Sequence, residues 1–278
     1  MGRVGRRGTG LRDSPGGFTL IELLAVIAIV ALLLAIFAPG LWHVRELALS
    51  AACLTRTHEV SRGYTAWLAN NDFKAMGYNR DRNTTWWDWS DELAPYVVRP
   101  SAITFCPKVT RFTAGQRVVG TNCLMGGQDW AWRHKPPNGT VTYEGSYGFN
   151  EWILHYETDT WARYQDPGRT MYFENHRGIA EPSQTPILGD ACWYGGWPKH
   201  TDVLPPSGGK DHAQPPTSYD WPWSGPANNM ERWCVDRHDG DVNVALADGS
   251  SRSVAVSEIW GLKWNKGFDT DYQRPAYP

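Results

Sequence analysis

The apolar residues divide the chain into one strongly hydrophobic segment and a much longer, mostly polar part. Residues 18–38 form an apolar run of 21 residues in which Glu22 is the single charge. At about 1.5 Å per residue, a helix of this length spans the hydrocarbon core of a bilayer. The pattern therefore predicts one transmembrane helix over residues 18–40, with Pro39 and Gly40 at its end.

The helical pattern resumes after Pro39. Over residues 41–70, similar side chains return at three- and four-residue steps, which predicts an amphipathic helix, here called the stalk. Two asparagines and an aspartate at residues 70–72 predict where it ends. The face predicted to be buried consists of Leu47, Ala51, Leu54, His58, Thr65 and Leu68.

Residues 71–278 are rich in glycine, proline and tryptophan and have little periodicity, which predicts a large head dominated by loops. A short helix is predicted from Ser90 to just before Pro95. The clearest element is a β-hairpin near 242–256, where two partly alternating runs flank Asp248 and Gly249. Residues 160–236 offer little pattern beyond the short block 186–190.

The N-terminal 17 residues are basic, which predicts that this leader stays in the cytoplasm. Two ordinary explanations of the apolar run fit poorly. A secretory signal peptide would need Ile36 and Pro39 around its cleavage site, and its apolar core would be unusually long. A plain signal anchor leaves Glu22 unexplained, because an unpaired charge in a membrane helix is costly.

The junction of leader and helix, residues 16–24, reads GGFTLIELL and resembles the signature of type IV pilins and type II secretion pseudopilins. This resemblance implies that prepilin peptidase cuts between Gly17 and Phe18 and that the new amine is methylated. It also implies a helix kink at Pro39 and a charge pair between Glu22 and the α-amine of a neighbouring subunit. The implied fold is α+β, with a long N-terminal helix packed on an antiparallel-sheet, loop-rich head.

A second resemblance lies near the C-terminus, where nine residues separate His238 from Asp248-Gly249. This spacing is similar to the processing-associated H-X9-DG region of a large prepilin-like group, and blocks 51–54, 105–107 and 146–150 agree weakly. His238 and Asp248 could form a catalytic pair, but no third member is evident. We therefore expect His238, Asp248 and Gly249 to organise the hairpin, with His238 near residues 256–259.

Asp239, Asp241 and Asn243 have the spacing with which a calcium loop begins. The glycine and glutamate that such a loop needs are replaced by Val244 and Ser250, so turn acids ahead of a strand are the preferred interpretation. Some pseudopilins hold calcium in a C-terminal loop, and this option stays open. No other cofactor is indicated.

Clustered tryptophans could form a flat surface for carbohydrate, although tryptophan is usually at least partly buried. The candidates are Trp86, Trp87, Trp89, Trp130, Trp132, Trp193, Trp197, Trp221 and Trp223. Five cysteines lack the close spacings of common zinc and redox motifs, and disulfides in an exported head stay open. A net charge of −2 without a basic patch after the leader gives no sign of nucleic-acid binding.

Together these features predict a structural subunit rather than an enzyme. It would be a single-pass inner-membrane protein with a cytoplasmic N-terminus and a periplasmic or extracellular head. Its partners would be the membrane, prepilin peptidase and other pilin-like subunits, in a pilus or a type II secretion pseudopilus. The alternative is a membrane-tethered periplasmic binding module, with carbohydrate as a candidate ligand, that uses its pilin-like N-terminus only for export.

Overall fold

The computed structural model describes residues 18–77, 89–98, 100, 103–109, 118–119, 123–134, 142–155, 170–203 and 229–273. The chain falls into two compact units, Met1–Glu46 and Leu47–Pro278. A long helix, α1, spans Leu20–Asn70, and antiparallel and mixed sheets follow it in the second unit. The predicted α+β class is therefore confirmed.

Helix α1 is the long N-terminal helix that the resemblance implies. It continues through Pro39 and Gly40, so the transmembrane and stalk segments are parts of one 51-residue helix. A proline inside a helix removes one backbone hydrogen bond and favours bending there. The kink at Pro39 stays a prediction.

The buried face of the stalk differs from the predicted one. Leu47, Ala51, His58 and Thr65 are exposed, and of the predicted set only Leu68 is fully buried. The prediction was wrong because the buried face contains small polar side chains that hydrophobicity does not mark. Their hydroxyls are satisfied: Ser61 Oγ, for example, donates to Leu246 O at 3.2 Å. The buried face consists of Cys53, Thr57, Val60, Ser61, Gly63, Tyr64, Trp67 and Leu68.

The described part of the head contains two sheets. An antiparallel sheet has the order β1-β2-β3-β4, and a five-stranded sheet has the order β7-β5-β6-β8-β9, in which only the β5–β7 pair is parallel. The strands are β1 Val118–Val119, β2 Cys123–Leu124, β3 Trp132–His134, β4 Tyr143–Gly145, β5 Tyr147–Asn150, β6 Pro186–Asp190, β7 Gly195–Gly196, β8 Asp241–Leu246 and β9 Ser251–Ala255.

Short helices connect the strands. Helix α2 covers Trp89–Leu93 and continues into a 3-10 turn over Ala94–Tyr96, close to the predicted short helix. The other 3-10 segments are Glu151–Ile153, His176–Gly178, Asn229–Arg232 and Val256–Gly261.

The five-stranded sheet is buried on both faces. Stalk residues pack on one face together with Phe149, Leu188 and Ala245. Val242 and Val244 point to the other face, where Trp233, Trp260 and Trp264 pack against them. Because strand side chains alternate between faces, the sheet forms the middle layer of the head.

Most of the proposed sugar-surface tryptophans that lie among the described residues are core residues. Trp89, Trp132, Trp193 and Trp197 are buried, and Trp130 is half-buried. Trp86, Trp87, Trp221 and Trp223 lie outside the described residues. Within the described part, the buried rings pack in the core and cannot present a flat exposed platform for carbohydrate.

The hairpin expected near 242–256 is formed by strands β8 and β9. At the turn, Leu246 N donates to Ser250 O at 2.8 Å, and Asp248 Oδ1 accepts from Ser250 N at 2.9 Å. Gly249 has a φ of +91°, a left-handed conformation that glycine adopts without strain. The Asp-Gly pair therefore supplies both the cap and the backbone conformation of this loop.

Replacing Gly249 with valine should lower the free energy of unfolding of the head by about 1–3 kcal/mol, because a β-branched residue is strained at positive φ. Space is not the reason, since an added Cβ would meet only Thr65 Oγ1, at 3.7 Å. Urea unfolding of the detergent-solubilised full chain, followed by tryptophan fluorescence, measures the effect. Gly261→Val is the matched control, because Gly261 has no positive φ and no atom within 4 Å of an added Cβ. Equal unfolding midpoints for the two variants would contradict the expectation.

Candidate functional site

The start of α1 is held by a reciprocal capping arrangement. Thr19 precedes the first helical residue, Leu20, and its backbone N donates to Glu22 Oε2 at 2.9 Å. In return, Glu22 N donates to Thr19 Oγ1 at 3.3 Å, and Thr19 Oγ1 donates to Glu22 Oε2 at 2.7 Å. These bonds form a capping box, which satisfies donors that a helix N-terminus otherwise leaves free. Threonine followed three residues later by glutamate was the signal that the sequence interpretation overlooked.

The first part of α1 is apolar on all sides. Between Phe18 and Leu47, the large hydrophobic side chains are exposed, from Ile21 at 78% to Val30 and Leu33 at 47%. A helix that is hydrophobic all round needs an apolar environment, such as lipid. Among the described residues, α1 is the one helix long and apolar enough to cross a membrane, by length and composition.

A second notable group lies inside the head, where four side chains from distant parts of the chain converge. Cys53 comes from the stalk, Cys106 from the segment 103–109, Asp190 from the end of β6, and His238 from the turn before β8. Their ligand atoms all lie within 4.8 Å of one another. We call these four residues the Cys-Cys-Asp-His cluster.

His238 Nε2 is central to the cluster. It lies 3.5 Å from Cys106 Sγ and 3.4 Å from Asp190 Oδ2. Cys53 Sγ is 3.7 Å from Asp190 Oδ1 and 3.0 Å from the hydroxyl of Tyr147. The side chains of His238 and Asp190 are essentially inaccessible to solvent.

Arg237 fixes the position of Asp190. Its side chain is fully buried, and NH1 donates to Asp190 Oδ1 at 3.0 Å. The remaining donors bind backbone carbonyls of residues 127, 128, 146 and 191. All five guanidinium N–H groups therefore have acceptors, which is the condition for burying an arginine without a large penalty.

The sheet presents Asp190 to the stalk. Tyr147 and Asp190 are directly paired across β5 and β6, so their side chains share one face of the sheet. Asn243 of β8 donates its backbone N–H to Asp190 Oδ2 at 2.8 Å. The backbone bond and the Arg237 pair together orient both carboxylate oxygens.

The cluster perturbs the titration of its members. Burial alone would raise the pKa of Cys106, but hydrogen bonds from Cys53 and His238 outweigh it and lower that pKa to about 6. Burial disfavours a charged His238, yet its hydrogen bonds to Asp190 and Cys106 prevail and raise its pKa to about 9. Burial raises the pKa of Cys53 well above its ordinary value. At neutral pH these shifts favour a Cys106 thiolate beside a protonated His238. The thiolate is the form that binds metals, and metal binding would release the His238 proton.

The cluster contains the residue types of a Cys-His-Asp catalytic triad but not its geometry. In a triad, the acid and the nucleophile contact opposite nitrogens of the imidazole. One nitrogen accepts the proton of the nucleophile, and the N–H of the other donates to the acid, which orients the ring. Here Cys106 and Asp190 both approach Nε2 of His238. Cys106 is also 1% exposed, which leaves no access for a substrate. The arrangement is suited to holding a metal ion rather than to nucleophilic catalysis.

Residues 13–38 match the family model of the prokaryotic N-terminal methylation motif. The matched segment contains the Gly17–Phe18 junction and leads directly into the long apolar helix α1. The motif followed by this helix fits a prepilin-like protein. No curated protein and no solved structure matches it. The motif and the apolar helix together indicate a single-pass membrane anchor.

The match ends before the C-terminal half of this prepilin-like protein, so the H-X9-DG resemblance stays an expectation. Its residues have separate surroundings in the structure. Asp248 binds Ser250 within the hairpin loop, whereas the carboxylate facing His238 is that of Asp190. His238 therefore contacts β6 and Cys106 through its side chain, which differs from the expected contact with residues 256–259.

The remaining predicted site residues have the following positions. Gly17 lies outside the described residues, and Phe18 directly precedes the capping box. Asp239 is exposed, Asp241 is the first residue of β8, and Asn243 is buried within it. Because β8 pairs with both β6 and β9, positions 241 and 243 belong to a central strand rather than a flexible loop. This placement favours turn and strand roles over a calcium loop.

The sequence interpretation did not assemble the Cys-Cys-Asp-His cluster. A search for close cysteine spacings could not find ligands that come from positions 53, 106, 190 and 238. A usable signal was nevertheless present, because each ligand lies in one of the few short blocks that stand out in the stalk and head sequence. The blocks at 51–54, 105–107, 186–190 and 237–240 supply one ligand each.

Proposed function

We propose that this prepilin-like protein is a structural subunit of a type II secretion pseudopilus or a pilus, cut between Gly17 and Phe18 by prepilin peptidase and methylated on Phe18. The observation that carries the proposal is the methylation motif at residues 13–38 joined to a long apolar helix. The motif implies processing by that peptidase and assembly with other pilin subunits.

The proposed topology follows from charge and length. Four arginines in the leader favour a cytoplasmic N-terminus. With one membrane-spanning helix among the described residues, the head would then lie on the other side of the inner membrane. The head, residues 71–278, is large for a subunit repeated along a filament. Such bulk is accommodated more easily at a tip or in a minor subunit.

The capping box is compatible with the proposed assembly role of Glu22. An ionised carboxylate offers about four acceptor sites, and Thr19 uses two of them, both at Oε2. The same side chain can therefore cap its own helix and accept a hydrogen bond from the α-amine of a neighbour's Phe18. In the low dielectric of a membrane, this pair would strongly favour an axial register between subunits.

The alternative of a carbohydrate-binding module has less support. It depended on an exposed aromatic surface, and four of its nine candidate tryptophans are buried in the head. No observation on the described residues favours a sugar site over core packing, so the structural-subunit proposal is preferred.

The two roles of Glu22 can be separated by substitution. Glu22→Gln keeps a side-chain oxygen that accepts a hydrogen bond from Thr19 N–H but removes the charge, whereas Thr19→Ala removes the cap and keeps the charge. If Glu22 pairs with a neighbour's amine, Glu22→Gln should reduce cross-linked oligomers in membranes about tenfold or more, since losing one partner of a buried pair costs roughly 3–5 kcal/mol. Thr19→Ala should lose only about 0.5–2 kcal/mol of helix stability and still assemble.

Cleavage serves as the internal control in this experiment. Both variants should release the leader normally, because neither changes the Gly17–Phe18 junction. Wild-type levels of oligomers in Glu22→Gln would contradict the assembly role. If Thr19→Ala lost its oligomers and Glu22→Gln kept them, the role of Glu22 would be capping of its own helix.

A further inference from the structure

We propose that Cys53, Cys106, Asp190 and His238 bind one Zn²⁺ ion as a structural site in the head. This inference is independent of processing and assembly, because all four ligands belong to the second compact unit. The residue types are those that zinc prefers: two thiolates, one imidazole and one carboxylate, with four protein ligands and no open position.

The distances between ligand atoms agree with a tetrahedral zinc site. Typical zinc bond lengths and a tetrahedral angle place sulfur and nitrogen about 3.5 Å apart, nitrogen and oxygen about 3.4 Å, and sulfur and oxygen about 3.5 Å. The corresponding distances are 3.5 Å for Cys106 Sγ to His238 Nε2, 3.4 Å for His238 Nε2 to Asp190 Oδ2, and 3.7–3.8 Å for Cys53 Sγ to the Asp190 oxygens. Small side-chain adjustments would suffice to coordinate one ion.

The direction of His238 also favours a metal. A single ring nitrogen carries at most one proton, which can make one well-aligned hydrogen bond. Nε2 nevertheless faces both Cys106 Sγ and Asp190 Oδ2 at similar distances. One cation between these atoms satisfies all of them, with the lone pair of Nε2 as a ligand.

The surroundings of the cluster resemble an outer coordination shell. Arg237 binds the second oxygen of Asp190, and Asn243 N–H binds Oδ2, so the carboxylate is oriented before a metal arrives. The charges also balance: Zn²⁺ and Arg237 contribute three positive charges, and two thiolates and Asp190 contribute three negative ones. A neutral assembly is what a buried site requires.

Other occupants fit less well. Calcium and magnesium select oxygen ligands, and the cluster offers one carboxylate. A Cys53–Cys106 disulfide would use the two sulfurs and leave His238 and Asp190 without a role, and all four described cysteine side chains are free thiols. Zinc would instead join the stalk, the 103–109 segment, β6 and the turn before β8, which are far apart in sequence and costly to bring together.

The test is the metal content of the full chain, purified from membranes in detergent through a tag that does not bind metals. Elemental mass spectrometry should find about one zinc per chain. Cys106→Ser should lower the zinc affinity, measured by competition with a chelator of known affinity, by about tenfold or more, since a lost ligand should cost at least as much as a lost outer-shell partner. Cys192→Ser is the matched control, because Cys192 is equally buried but lies outside the cluster, and it should keep its zinc.

A second measurement guards against misfolded variants. A strong chelator should lower the thermal unfolding temperature of the wild type and of Cys192→Ser, but should change that of Cys106→Ser little. Tyr147→Phe removes only the hydroxyl near Cys53 and should retain the metal. The proposal would be overturned if the wild-type protein stayed metal-free after equilibration with Zn²⁺. This holds whether its thiols alkylate freely or its mass shows a disulfide. An unchanged zinc affinity in Cys106→Ser would overturn it too.

Discussion

Replacing Arg237 with leucine is expected to destabilise the head by about 3–5 kcal/mol, the usual cost of removing one partner of a buried ion pair. The loss has two parts. The carboxylate of Asp190 is left buried without its guanidinium, and carbonyls of residues 127, 128, 146 and 191 lose a donor. Since native domains are stable by only about 5–15 kcal/mol, this loss removes a large fraction of the stability of the head. Urea unfolding of the detergent-solubilised full chain gives the free energy.

Arg133→Leu is the matched control for this prediction. Arg133 also pairs with a carboxylate, Glu144, at 2.9 Å, but its side chain is 37% exposed. A surface pair contributes about 0–1 kcal/mol, so this variant should unfold close to the wild type. If the two variants shift the unfolding midpoint equally, the special role of the buried pair is refuted.

Replacing Gly17 with valine should slow release of the leader by about tenfold or more, equivalent to about 1.4 kcal/mol or more of lost transition-state stabilisation. The physical reason is steric, because the prepilin-like junction presents a residue without a side chain on the leader side of the cut bond. The expected result is an uncleaved chain in the membrane fraction, detected by its mass. Head folding should be unchanged, since residue 17 precedes α1.

Gly10→Val controls for a general effect on the leader. It adds the same side chain to a glycine in the same basic segment, seven residues away from the junction. We expect it to be cleaved at the wild-type rate. Equal impairment of the two variants would mean that leader conformation, rather than the junction, governs processing.

Local chemistry explains which features could be predicted from sequence. The length of the apolar run predicts a membrane helix. The Asp248-Gly249 pair predicts a turn, because glycine adopts the φ of +91° found there without strain. The resemblance to the pilin signature rests on nine consecutive residues, 16–24. Each of these signals can be interpreted without knowing what packs against it.

Features that depend on packing were harder to predict. The stalk buries Thr57 and Ser61 rather than a stripe of leucines, because one hydroxyl binds the stalk itself and the other binds the sheet. Hydrophobicity cannot identify such a face. Long-range convergence of Cys53 and His238 was equally hidden, since only the sheet topology brings them together.

The mature N-terminus of the wild-type chain shows whether prepilin peptidase cuts between Gly17 and Phe18. Full-length protein isolated from membranes of a host with prepilin peptidase should be digested and its N-terminal peptide sequenced by mass spectrometry. We expect a peptide that begins at Phe18 and carries one additional methyl group on its α-amine. A terminus at Met1, or one beyond Ala38, would contradict it.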